Sequence, residues 1–127
     1  MKIFPIQNLS YGKRHILSDI IPGEFLSQAG LGFKSPKQRS HDIGCDCDAC
    51  DGKGVHIHEK DHEVFIILHG KAKMEIDGKG YDLCAGDVVV CEPGEDHHLV
   101  SDPNDPCVNV FLHTSDIPHP KHREVHT

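Results

Sequence analysis

The chain has 127 residues, the size of one domain, and its 13 Lys and Arg against 20 Asp and Glu give a formal charge of −7. That excess of acid argues against a sequence-independent nucleic-acid binder and against docking on an anionic membrane, since both need basic groups. The longest apolar run, Val64 to Leu68, is far too short to span a membrane, and Met1 to Leu17 holds no uncharged apolar stretch of signal-peptide length. A cytoplasmic protein is expected, in which the six Cys are thiols or metal ligands before they are disulfides.

Met1 to Leu9 is a mixed lead-in with Pro5, and the apolar stretch HILSDII, His15 to Ile21, is stopped by Pro22-Gly23. Glu24 to Phe33 follows, with Gly30 and Gly32 as breakers. The polar tract 34–54 holds a basic cluster (Lys34, Lys37, Arg39) and the segment HDIGCDCDACDGKG, and reads as a Cys-containing loop or insertion. From Val55 the signal becomes one of short strands. VHIH is the first, and HEVFIILHG, rich in β-branched and aromatic residues, ends at Gly70. KAKMEI alternates apolar and charged residues and closes on Asp77-Gly78, a strong hairpin signal. Tyr81 to Leu83 leads to a turn at Ala85-Gly86-Asp87, VVVC runs into Pro93-Gly94, HHLVS ends at Asp102-Pro103, and CVNVFLH is last. Residues 115–127 form a Pro- and His-containing tail expected to be flexible. Short strands at regular spacing with turn residues between them indicate one all-β domain over 1–127, a sandwich or barrel.

His56 and His58 are two apart, so on a strand both imidazoles share a face. Glu63 lies on the next strand and His97 on a later one, just past Pro93-Gly94. Three imidazoles and a carboxylate converging in a barrel would make a mixed nitrogen and oxygen site, suited to Fe, Mn, Ni, Cu or Zn as a divalent ion. Open coordination positions would admit water or substrate. Of the neighbouring pair His62 and Glu63, only one can point inward. Phe65 and Ile67 share the face of Glu63, and with Val90 and Leu99 they are candidates for the pocket wall. His98 points away from His97, as a structural or solvent-facing residue, and His69 is expected to be exposed.

Gly52-x3-His56-x-His58-x4-Glu63-x6-Gly70 resembles the first motif of the cupin superfamily, and Gly86-x7-Gly94-x2-His97 resembles the second. The resemblance covers Gly52 to Ser101, with Glu92 where the second motif usually has proline and Ser101 where it often has Asn. It implies a cupin-type jelly-roll, a double-stranded β-helix, with one divalent transition metal held by His56, His58, Glu63 and His97. It also implies a homodimer built by sheet packing, which would bury the outward apolar residues of Val64 to Leu68 and Val88 to Val90.

Cys45-x-Cys47-x2-Cys50 places three thiols in a short span, with His41 as the candidate fourth ligand of a second metal. Cys3His is a common structural zinc set. A disulfide within the triplet, an iron–sulfur ligand set and an unligated redox-active loop are alternatives. Asp46, Asp48 and Asp51 would raise the thiol pKa values and disfavour a metal-free thiolate. Cys84, Cys91 and Cys107 lie in or beside strands and read as packing residues.

The leading functional expectation is a metal-dependent enzyme on a small-molecule substrate, of dioxygenase-like, isomerase or lyase type. Glu63 is the candidate catalytic base, since a carboxylate beside a substrate oxygen is within proton-transfer reach. The alternative is a non-catalytic module that binds a small molecule or metal. A metal-free sugar isomerase ranks last, because Tyr11 and Tyr81 are the only tyrosines available as acids. No nucleic-acid or membrane partner is expected. One fold hosts many reactions, so the reaction itself must come from the site.

Overall fold

Asp77 and Gly78 carry φ of 49° and 84°, the two left-handed residues of a type I′ turn, which joins β4 (Lys71–Ile76) to β5 (Lys79–Cys84). The right-handed twist of paired strands favours that turn, and Asp-Gly adopts it at low steric cost. The computed structural model describes residues 1–8, 20–23, 25–41, 50–55, 57 and 60–116, without the side chains of Ser27 and Phe33. The other strands are β1 (Lys2–Pro5), β2 (Phe25–Phe33), β3 (His62–His69), β6 (Asp87–Cys91), β7 (His97–Ser101) and β8 (Val108–Ser115). A single 3-10 turn, Ile6–Asn8, follows β1.

All ladders are antiparallel, in a five-stranded sheet of order β1-β6-β3-β8-β2 and a three-stranded sheet of order β5-β4-β7. This is the all-β two-sheet architecture that the strand spacing predicts, in the jelly-roll form that the cupin resemblance implies. Phe65, Ile67, Val89 and Cys91 of the larger sheet pack against Ala72, Met74, Ile76, Leu83 and Leu99 of the smaller one. Each Val, Leu, Ile, Phe or Met side chain among them, fully removed from water, contributes about 1.5–3 kcal/mol. Among the described residues, no helix is long and apolar enough to cross a membrane.

The opposite face of the larger sheet is also apolar. Val64, Val88 and Val90 are buried there under Phe4, Ile6, Ile20 and Ile21. Segments of the same chain thus cover Val64, Val88 and Val90, and a strand buried on both sides reads as continuously apolar, whereas Leu68 is 51% exposed.

Three boundaries differ from the sequence reading. Gly30 and Gly32 do not interrupt β2. Their missing side chains make room for Phe111 and Asn109 of β8, since an added Cβ would lie 2.8 Å from the Phe111 ring and 2.6 Å from Asn109 Oδ1. The tract 34–54, read as a loop or insertion, pairs along β7 in its described first part. Lys37 N donates to Ser101 O (3.1 Å), Ser101 N to Gln38 O (2.8 Å) and Ser40 N to Leu99 O (3.0 Å). Ser115, placed in the tail by the sequence reading, is instead the buried last residue of β8 and pairs with Phe25; residues 117–127 lie outside the described ones. Gly70 bends the chain between β3 and β4 at φ 77°, where a Cβ would drive into the carbonyl of Pro106.

Candidate functional site

Strand parity sends Glu63, Phe65 and Ile67 into the barrel, and His62 outward to Glu92, whose Oε2 lies 2.8 Å from His62 Nε2. Glu63 is 4% exposed and heads the inner row. The register pairs it with Cys91 on β6 and with His113 on β8. His97 comes from the other sheet, where it opens β7 opposite Ile76. The hairpin turn fixes that start, since Asp77 N donates to Asp96 O (2.9 Å) and Asp96 N to Asp77 Oδ1 (3.0 Å).

The two sheets thus bring Glu63 and His97 together, with His97 Nε2 2.6 Å from Glu63 Oε1 and His97 only 1% exposed. His97 Nδ1 lies 3.0 Å from the carbonyl of Glu95. Nδ1 faces a carbonyl oxygen and Nε2 a carboxylate oxygen, an arrangement that favours the charged form of the ring. Burial alone would lower its pKa. The hydrogen bond and charge of Glu63, with the Glu95 carbonyl, outweigh burial and raise it above the ordinary 6.5. Phe65 meets the imidazole edge-on, with ring centroids 6.2 Å apart.

His113 completes the cluster. Its Nε2 is 3.2 Å from Glu63 Oε2, and Phe111 packs edge-on against its ring at 5.9 Å. No motif points to His113. The signal that could have found it is the two-residue period of Asn109, Phe111 and His113 along the last strand, which puts all three on the face of Glu63.

Of the four ligands that the motifs imply, Glu63 and His97 meet, whereas His56 and His58 lie outside the described residues. Ile57, between them in sequence, bridges to Asp96, the neighbour of His97. Among the described residues no three His, Cys, Asp or Glu side chains form a group able to hold a metal ion. The pair that is described still fits one. A buried carboxylate oxygen and a distal imidazole nitrogen already face each other, and that donor chemistry suits first-row divalent metals. At the second candidate site, His41 and Cys50 are half-buried, and Cys45 and Cys47 lie outside the described residues.

The remaining candidates divide. Leu99 joins Phe65 and Ile67 in the interior, and Tyr81 packs against that cluster. Val90 does not; register puts it opposite Val64 on the outer face, with Val89 and Cys91 inward in its place. His98 is structural. It is 1% exposed, with Nδ1 donating to Ser40 O (2.7 Å) and Nε2 2.8 Å from Asp96 Oδ1, and so ties the 34–41 segment to β7. His69 is exposed, as expected. Cys91 and Cys107 are buried packing residues, but Cys84 is exposed at the end of β5. Lys34 was not singled out beyond its basic cluster. Its backbone N donates to Cys107 O (3.0 Å), one step past the β2–β8 ladder. Burial lowers its pKa from 10.5, against the raising pull of Cys107 and Glu63.

A cupin-domain family model matches residues 50–113, about half of the chain. An uncharacterized HTH-type transcriptional regulator of Escherichia coli K12, YdiP, is 40% identical over 53 residues, which are 42% of this chain and 18% of that one. The chain therefore spans under a fifth of the length of this curated relative. Among solved structures, a conserved Klebsiella pneumoniae protein with a double-stranded β-helix domain is similar at a TM-score of 0.55 and 18% identity, over 72% of this chain and 65% of that one. A Cupin 2 conserved barrel domain protein from Salinispora arenicola is similar at a TM-score of 0.51 and 20% identity, over 76% and 71% of the two chains. With the double-sheet barrel, both glycine-bounded motifs and the matched family model in hand, the chain belongs to the cupins.

Proposed function

We propose that this cupin holds one divalent transition metal through His56, His58, Glu63 and His97 and acts on a small molecule as a metal-dependent enzyme, dioxygenase-like or of isomerase or lyase type. The observation that carries the reading is the Glu63–His97 contact of 2.6 Å, buried at 4% and 1% exposure at the end of an apolar barrel. Burying such a pair costs several kcal/mol per ion in desolvation, on the order of what the pairing returns. A site that recovers that cost by metal binding accounts for it better than packing does. When bound, the metal would supply Lewis-acid polarisation of a substrate oxygen, or redox chemistry beside it.

The chain's own groups have separate tasks. The Glu95 carbonyl accepts a hydrogen bond from His97 Nδ1, which fixes the ring and directs Nε2 inward. Glu63 supplies an oxygen ligand, and when that oxygen is disengaged it can take a proton from substrate. Phe65, Ile67 and Leu99 keep water from the inner wall. The Cys cluster, with His41, Cys45, Cys47 and Cys50, is proposed as a separate structural zinc site.

A cytoplasmic homodimer without nucleic-acid or membrane partners belongs to the same reading. Leu26, Leu31 and Leu68, exposed at 58%, 57% and 51%, supply apolar surface for the dimer. Sedimentation at several concentrations tests it, and a monomer throughout would remove it.

The test of function is elemental analysis of protein purified without chelators, beside the His97→Ala and Cys47→Ser variants. About one transition metal per chain, lost in His97→Ala and kept in Cys47→Ser, supports the barrel site. Two metals, with zinc lower by one in Cys47→Ser, adds the cysteine site. No metal after reconstitution sinks both. Substrate-dependent O2 uptake with Fe(II) then separates an oxygenase from a binding module.

A further inference from the structure

Glu63 has two carboxylate oxygens, and each faces a different imidazole. Oε1 meets His97 Nε2 at 2.6 Å and Oε2 meets His113 Nε2 at 3.2 Å. His113 lies directly across the β3–β8 ladder from Glu63, its side chain 7% exposed, with its ring set by the edge-on Phe111 two residues before it. The backbone register therefore fixes the second contact, whereas the first joins two different sheets.

We propose that His113 is a positioning residue for Glu63. It holds Oε2 against β8, so that Oε1 alone is presented toward His97 and to a metal bound beside it. This rests on the reading of Glu63 and His97 as metal ligands. With Oε2 held, the carboxylate offers one oxygen. With Oε2 released, it is able to rotate and offer both or neither. A group that orients a ligand in this way typically costs about 10–100-fold in metal affinity when removed.

Cobalt(II) is the probe, because its visible absorption reports coordination number and geometry without turnover. The full chain is stripped, reloaded and titrated as parent, His113→Phe, His113→Asn, His113→Gln and His97→Ala. Phe keeps the ring without a nitrogen, Asn is too short to reach Oε2, and Gln places an N–H near it. His113→Phe should bind Co(II) about 10–100-fold more weakly, with altered visible bands, and His113→Gln should recover most of both. If His113→Phe fails to fold, His113→Asn carries the same test. Parent-like affinity and spectrum in the folded variant lacking the N–H would overturn the proposal. A His97→Ala that also keeps parent affinity would instead overturn the metal reading on which it stands.

Discussion

The barrel interior has two ends, and both bury polar groups. At one end Glu63, His97 and His113 face one another, and each oxygen of the carboxylate has an imidazole nitrogen within 3.2 Å. At the other, four residues earlier on β8 and about 13 Å away, Asn109 is 1% exposed and its Oδ1 has no hydrogen-bond partner among the described residues. The Lys34 backbone bonds there to Cys107; burial disfavours the side chain's charge, while the charges of Cys107 and Glu63 favour it. The difference teaches that burial of polar groups does not by itself mark a site. Convergence on a shared carboxylate is what sets the first end apart, because one carboxylate there meets imidazoles from two different strands.

The strongest way to break this comparison is at the first end. His97→Ala should bring the barrel metal to background while the sheet signal in circular dichroism persists. It should also cost about 3–5 kcal/mol of stability, because Glu63 loses its imidazole partner while still buried. Full metal content in the variant would put the metal elsewhere. Gly70→Ala tests the other end. The added methyl has nowhere to go beside the Pro106 carbonyl, and φ of 77° strains any side chain. A loss of about 2–3 kcal/mol is expected in denaturant melts, with metal content per folded chain unchanged. Metal loss in that variant would mean that the two ends are coupled rather than independent.

A smaller effect of opposite sign belongs to Lys34. Removing a charge that partial burial disfavours is neutral or stabilising, so Lys34→Met should gain up to about 1 kcal/mol at neutral pH. The folded pKa is lowered, so between the folded value and the unfolded value near 10.5 the unfolded chain binds more protons. Parent stability therefore rises with pH across that window, and the advantage of Lys34→Met shrinks toward pH 10.5. A difference that stays constant with pH would remove the charge from the explanation.

How far the sequence reaches is clear from particular residues. β3 to β8 are legible because period-2 apolar patterning and Gly, Pro and Asp-Gly turns mark them nearly to the residue. The meeting of Glu63 with His97 follows from motif spacing. β2 is not legible, because Gly30 and Gly32 look like breakers unless Phe111 and Asn109 are known to lie against them. Val90 was misplaced for a related reason. A strand apolar on both faces gives parity no foothold, and only the register with Glu63 sets it. His113 needed the same long-range pairing. Local pattern carries the strands, whereas contacts between strands distant in sequence carry the second half of the site.

Two thiols sharpen the comparison at the finest scale, because one lies at each end. Cys91 faces inward beside Glu63, and Cys107 is the residue opposite Lys34; both are buried at 1% exposure or less. Burial raises both pKa values. At Cys91 the Glu63 charge raises it further, whereas at Cys107 the Lys34 charge partly offsets the rise. Alkylation needs the thiolate and an opening that admits reagent. The Lys34 charge beside Cys107 favours its thiolate, whereas the Glu63 charge beside Cys91 opposes one, so the Cys107 thiol deprotonates more readily once reached. Mass-spectrometric mapping under native conditions should therefore find exposed Cys84 modified first, then Cys107, and Cys91 last. Lys34→Met should slow Cys107 toward the rate of Cys91, since it removes the offsetting charge. Cys91 reacting before Cys107 would make the carboxylate–imidazole end the looser one, and the ordering of the two ends would then be reversed.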